Sequence, residues 1–125
     1  MRGDAERSDK SKFMNLTSRT EGDLQIIHIA ETRIDAAVAI EFKDAMRNET
    51  EDGKDIVVLD LSEVQFIDSS GLGAIVASMK QLGRNRKLAL GGLTPAVDKV
   101  FRLTRMDSVF PLYATLEGAL KDLGN

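Results

Sequence analysis

A chain of 125 residues, 42% of them hydrophobic, is the size of one domain and carries enough apolar side chains for a core. No apolar run approaches the ~20 residues needed to cross a bilayer, and the charged N-terminus lacks the apolar segment of a secretory signal; a cytoplasmic protein with no membrane partner is expected. The absence of cysteine excludes disulfides, thiolate metal sites and cysteine nucleophiles, and a charge of −3 with 5% aromatic residues argues against a nucleic-acid partner. Neither a metal nor a cofactor is expected.

Met1 to Lys12 is almost wholly polar or charged and shows no periodicity, which predicts a disordered arm over residues 1–12 ahead of a domain over 13–125. Phe13 to Thr20 and Leu24 to Ala30 read as strands, joined by the turn residues Glu21, Gly22 and Asp23 into an antiparallel hairpin. His28, the one histidine, falls by alternation on the same face as Leu24 and Ile26, which favours a packed or half-exposed role over a catalytic one. Asp35 is placed to cap a helix whose inner face is Val38, Phe42, Ala45 and Met46 and which ends before Gly53. Within Asp55 to Leu61, four consecutive apolar residues from Ile56 to Leu59 have the pattern of a central strand buried on both faces of a parallel sheet.

The run from Val64 to Gly73 then passes from apolar residues into Asp68, Ser69 and Ser70, one of which should cap a helix running to about Leu82. Leu72, Ile75, Val76, Met79 and Leu82 recur at helical spacing, and Gly83 suits a left-handed helix end. Glycine inside a helix costs about 1 kcal/mol relative to alanine, so Gly71 and Gly73 in one turn imply close approach to the backbone. A serine hydroxyl at such a helix start is open to another protein's active site and is a candidate phosphoacceptor.

Beyond it, Arg84, Asn85, Arg86 and Lys87 read as a solvated turn. Lys87 to Leu90 is a short strand broken by Gly91 and Gly92. Thr94 as N-cap and Pro95 at the first helical position open a helix with Val97, Val100, Phe101 and Thr104 inward. Val109 to Tyr113 contains Pro111, which cannot donate to a sheet ladder, so a short edge strand is expected there. Thr115 caps a last helix with Leu116, Ala119, Leu120 and Leu123 on one face and Gly124 at its end.

Alternation of helices and strands implies parallel pairing through right-handed crossovers, which gathers the loops after the strands on one rim. Arg33 to Asp35, Ser62 to Gly73 and Gly91 to Thr94 should meet there. Two enzymatic readings fail. Position 67 is isoleucine, so no Gly-x-Ser-x-Gly elbow surrounds Ser69, and the one available base, His28, lies within a sheet face. A magnesium-binding receiver built on Asp60 would need an acidic pair after its first strand and a lysine after its last, where this chain has Glu21-Gly22-Asp23 in a hairpin turn and Pro111-Leu112-Tyr113.

Val57-Val58-Leu59-Asp60-Leu61, followed by Phe66-Ile67-Asp68-Ser69-Ser70-Gly71-Leu72-Gly73, resembles the signature of the sulfate transporter and anti-sigma antagonist (STAS) domain, and more narrowly that of bacterial anti-sigma factor antagonists. Arg33-Ile34-Asp35-Ala36, and Leu93-Thr94-Pro95-Ala96-Val97 leading to Val100-Phe101, extend the resemblance over about Phe13 to Leu123. It implies an α/β STAS fold: a mixed, mostly parallel β-sheet with an N-terminal antiparallel hairpin and about four helices. It further implies a regulator with no enzymatic activity, whose unmodified form sequesters an anti-sigma factor that is also a serine kinase. Phosphorylation of Ser69 releases that partner, and a serine phosphatase restores the binding form. The partner surface implied is Arg33, Ile34 and Asp35 from one loop, Asp68, Ser69, Ser70, Gly71, Leu72 and Gly73 from the motif, and Gly92, Leu93 and Thr94 from a third. The alternative within the family is a scaffold subunit of a lipid or anion transport assembly, which Ser69 after Asp68 and the stand-alone length disfavour.

Overall fold

The structure, a computed structural model, describes residues 14–124; the arm expected over 1–12 and the strand start expected at Phe13 lie outside them. The chain forms strands β1 (Leu16–Glu21), β2 (Leu24–Ile29) and β3 (Arg33–Ile34), helix α1 (Ala39–Thr50), and strands β4 (Ile56–Asp60) and β5 (Phe66–Ile67). Helix α2 (Ser69–Leu82), strand β6 (Lys87–Gly91), helix α3 (Pro95–Leu103), strand β7 (Leu112–Tyr113) and helix α4 (Leu116–Leu123) follow. Five strands make one sheet in the order β1-β2-β4-β6-β7. The β1–β2 pair is antiparallel and the other three pairs are parallel, so the expected mixed sheet and hairpin are present, and β4 is central.

Strand alternation divides the core into two layers. Ile27, Ile29, Val57, Leu59, Leu88 and Leu90 face α1, α2 and α3, whose Phe42, Met46, Ile75, Val97 and Phe101 complete the larger cluster. Leu24, Ile26 and Val58 face the other way and pack with Ala119 and the leucines of α4. That is why β4 is apolar without interruption: it is covered on both faces. Phe101 and Phe110 meet edge to face with ring centroids 6.0 Å apart.

Three local expectations need correction. Asp35 does not cap α1, which starts four residues later with Val38 at its N-cap and no side-chain cap bond. Its carboxylate instead accepts from the Ala37 amide at 3.1 Å, and its carbonyl from Val38 at 3.0 Å, closing a turn. The reason is that Arg33 and Ile34 are drawn into β3, so the chain must turn before it can enter the helix. Thr104 is exposed rather than inward, its hydroxyl donating to the Val100 carbonyl at 2.7 Å. The apolar face of α2 is as its spacing implied: Ile75 and Leu82 are buried and Leu72, Val76 and Met79 pack partly buried against the same core, with Gly71, Ala74 and Ser78 buried beside them. The last strand is shorter than Val109 to Tyr113: Pro111 has no N–H to give, though its carbonyl accepts from Leu90 at 3.0 Å. Before it, Met106–Ser108 makes a 3-10 turn entered through Arg105 at φ +65°.

Candidate functional site

The segments that follow β2, β4 and β6 meet at the C-terminal rim of the sheet. After β4, the Leu61 amide donates to the Gly91 carbonyl at 2.9 Å and the Gln65 amide to the Thr32 carbonyl at 2.7 Å. This sets up a second, two-stranded parallel sheet in which Arg33 pairs with Phe66 and Ile34 with Ile67. Thr94 is the N-cap residue of α3 by position, but its hydroxyl makes no cap bond and donates to the Val64 carbonyl at 2.8 Å. Gly92 turns the chain from β6 toward α3 at φ +71°, where side chains are disfavoured, and a Cβ there would also stand 3.1 Å from the Asp60 carboxylate. The three segments expected to converge are therefore tied together by hydrogen bonds.

Asp68 is the hinge of this assembly. One carboxylate oxygen accepts from the Gly71 amide at 2.8 Å and caps α2, while the other accepts from the Ala36 amide at 3.2 Å. One side chain therefore satisfies a helix start and fixes the turn after β3. Ser69 and Ser70 occupy the first two helical positions and are exposed. Their amides precede the first intrahelical bond, so an anion on either hydroxyl would stand at the positive end of the helix dipole.

The expected partner residues separate by accessibility. Ser69, Ser70, Gly73 and Arg33 are exposed, and Asp35, Asp68, Leu72, Gly92 and Thr94 are partly so. Ile34, Gly71 and Leu93 are buried, which removes their side chains from direct contact. For Gly71 the cause is plain: a Cβ would lie 2.0 Å from the Ile34 carbonyl oxygen, because α2 presses on β3 at that point. The close approach inferred from its glycine is real, but the neighbour is the chain's own backbone. At Gly73 a Cβ would meet nothing within 4 Å, and the position is open.

Phe66 is the rim residue that sequence reasoning missed. It is 41% exposed, and the Arg33 guanidinium lies over its ring at 4.3 Å while also donating to Asp35 at 3.2 Å. A two-residue strand carries too little pattern to reveal it, although alternation with the buried Ile67 points the Phe66 side chain outward.

His28 and Asp60 lie on the α4 face, across the sheet from α2 and its serines. The two ring nitrogens of His28 meet an Asp60 oxygen at 2.8 Å and a Glu63 oxygen at 2.7 Å. Burial draws the imidazole pKa down, but the bonds to and charges of the two carboxylates outweigh it, and the pKa is raised. A ring held between two carboxylates is suited to remain an imidazolium rather than to act as a base. Among the described residues no group of His, Asp and Glu is arranged to hold a metal ion, and no helix is long and apolar enough to cross a membrane.

Comparison with known proteins gives a concordant result. The family model of the STAS domain matches residues 15–119. The anti-sigma-B factor antagonist of Listeria monocytogenes is 35% identical over 82 residues, covering 63% of this chain and 70% of that one. The putative anti-sigma factor antagonist BtrV of Bordetella bronchiseptica is 30% identical over 98 residues, covering 78% and 84%. Among solved structures, an anti-sigma factor antagonist from Mycobacterium paratuberculosis superposes with a TM-score of 0.80 at 27% identity, over 90% of this chain and 95% of that one.

Proposed function

Since the chain belongs to the STAS domain family, we propose that it is an anti-sigma factor antagonist whose docking rim is switched by phosphorylation of Ser69. The unmodified rim binds and sequesters an anti-sigma factor that is also a serine kinase; the phosphorylated rim releases it, and a serine phosphatase resets the system. The whole of 13–125 acts as one non-enzymatic binding domain in the cytoplasm. The observation that carries this reading is the position of Ser69: exposed, first in its helix, and next to a carboxylate that is already committed to the cap.

The physical argument is one of charge in a confined place. A phosphoserine adds roughly −1.5 to −2 charge at neutral pH, and here it would stand beside Asp68. In solution the helix N-terminus and water stabilise it, so the fold need not change. In a close-packed interface the same charge has to be desolvated next to another anion, which weakens docking. Arg33 does not offer a ready counter-charge, being engaged by Asp35 and Phe66.

The test is incubation with ATP and candidate anti-sigma factor kinases from the same genome, followed by mapping of the modified residue by mass spectrometry. Phosphate on Ser69 alone is expected. Phosphate on Ser70, Ser62 or Thr94 instead would remove the assignment.

A further inference from the structure

At the opposite end of the sheet from Ser69, where β4 and β6 begin, a cleft of about 610 Å³ opens beneath the turn that follows α2. Ligand pockets run from roughly 300 to 1,000 Å³, so the size suits a small molecule. Its inner wall is apolar, made by Met79, Leu88 and Phe110, of which Leu88 and Phe110 belong to the core. Its mouth carries Arg84, Arg86 and Lys87. Among the described residues none of these three cations has an ion-pair partner. Arg86 donates from Nε at 3.1 Å and Nη2 at 2.7 Å to the Lys54 carbonyl, a neutral acceptor that fixes the guanidinium without cancelling its charge. Two acids, Asp55 and Asp107, also line the cleft, and Asp107 is shared with Arg102 at 3.9 Å.

We propose that this cleft is a binding site for a small organic phosphate, with the phosphate held by Arg84, Arg86 and Lys87 and an apolar or aromatic body seated against Met79, Leu88 and Phe110. Three unmatched cations within four residues, on a chain whose net charge is −3, make a local reversal of sign that selects an anion. Guanidinium groups match the oxygens of a phosphate in pairs, which favours that group over a single-point anion. The apolar wall requires a body as well as a charge, and Asp55 and Asp107 beside the mouth oppose an extended polyanion such as nucleic acid. A simpler role for Arg84, offsetting the carbonyls at the end of α2, needs one cation and no cleft.

The proposal is independent of the switch at Ser69, and a titration separates the two. Amide chemical shifts of the full chain should be followed with phenyl phosphate at constant ionic strength, beside inorganic phosphate and phenol as its two halves. Saturable shifts are expected at Arg84 to Leu88 and Ser108 to Phe110, with phenyl phosphate binding at least about tenfold more tightly than either half. The double substitution Arg84→Gln and Lys87→Gln should weaken binding by about tenfold or more with the urea midpoint unchanged, and Ser69→Ala should leave it intact. Shifts that never saturate, equal affinity for inorganic phosphate, shifts confined to the rim around Ser69, or a double variant that binds as well as the parent would each overturn it.

Discussion

A methyl group added at Gly71 would lie 2.0 Å from a backbone oxygen, whereas one added at Gly73 would meet nothing within 4 Å. Gly71→Ala should therefore destabilise the domain by about 1–3 kcal/mol through overpacking, and Gly73→Ala should stabilise it by up to ~1 kcal/mol, as urea melts will read. If Gly73 is left bare for the partner, Gly73→Gln should melt normally and bind the kinase poorly; full affinity would show that this position lies outside the interface. The sequence shows two glycines in one turn, but which of them faces β3 depends on a helix phase set by Asp68 as the cap residue, and three neighbouring residues were eligible for that role. His28 yields a prediction with a definite sign. Its pKa is raised in the folded chain, so the stabilisation it brings is complete below its unfolded value of about 6.5 and is lost as pH rises through the folded value. The urea midpoint relative to a His28→Asn variant should fall as pH rises from about 6.5 through the folded value; a rise would contradict the imidazolium clamp.

At the scale of elements, the long periodic segments were legible, as was the short edge strand at Pro111, and the two-residue strands β3 and β5 were not. Helices α3 and α4 begin after Thr94 and Thr115 as expected, and α2 after Asp68, one of the three residues eligible as its cap, because each precedes apolar residues at helical spacing. Strands β3 and β5 escape a reading based on periodicity, since two residues define no period, yet they draw Asp35 away from α1 and expose Phe66. Asp68 joins two elements with one carboxylate, so Asp68→Ala should cost more than a simple cap. We expect about 2 kcal/mol, at the top of the capping range, against about 1 kcal/mol for Thr115→Ala, which frees only the Gly118 amide. Equal losses in urea unfolding would mean that the bond to Ala36 contributes nothing. Thr94→Val should leave α3 formed but speed amide exchange at Gln65 to Ile67, because its hydroxyl holds the Val64 carbonyl rather than the helix start.

For the whole molecule, the convergence of three distant loops was foreseeable from chain topology alone, since parallel strands joined by crossovers place their C-terminal ends together. The two-layer core follows from the same order, with α4, alone among the described helices, covering the face opposite α1, α2 and α3. The cleft at the other end was not foreseeable: Arg84 to Lys87 looks like any solvated turn until Phe110 and Met79, distant in sequence, are seen to wall the space beside it. The two ends of the sheet thus present different chemistry, an exposed serine with a committed carboxylate at one and, at the other, cations over an apolar wall with no ion-pair partner among the described residues. The central claim is that charge on Ser69 decides whether the rim can dock. Its most direct test is calorimetric titration of the kinase that modifies Ser69 with four forms of the chain: unmodified, stoichiometrically phosphorylated, Ser69→Ala and Ser69→Asp. The unmodified and Ser69→Ala forms should bind alike, with the phosphorylated and Ser69→Asp forms weaker by about tenfold or more; the same affinity for all four would contradict the account.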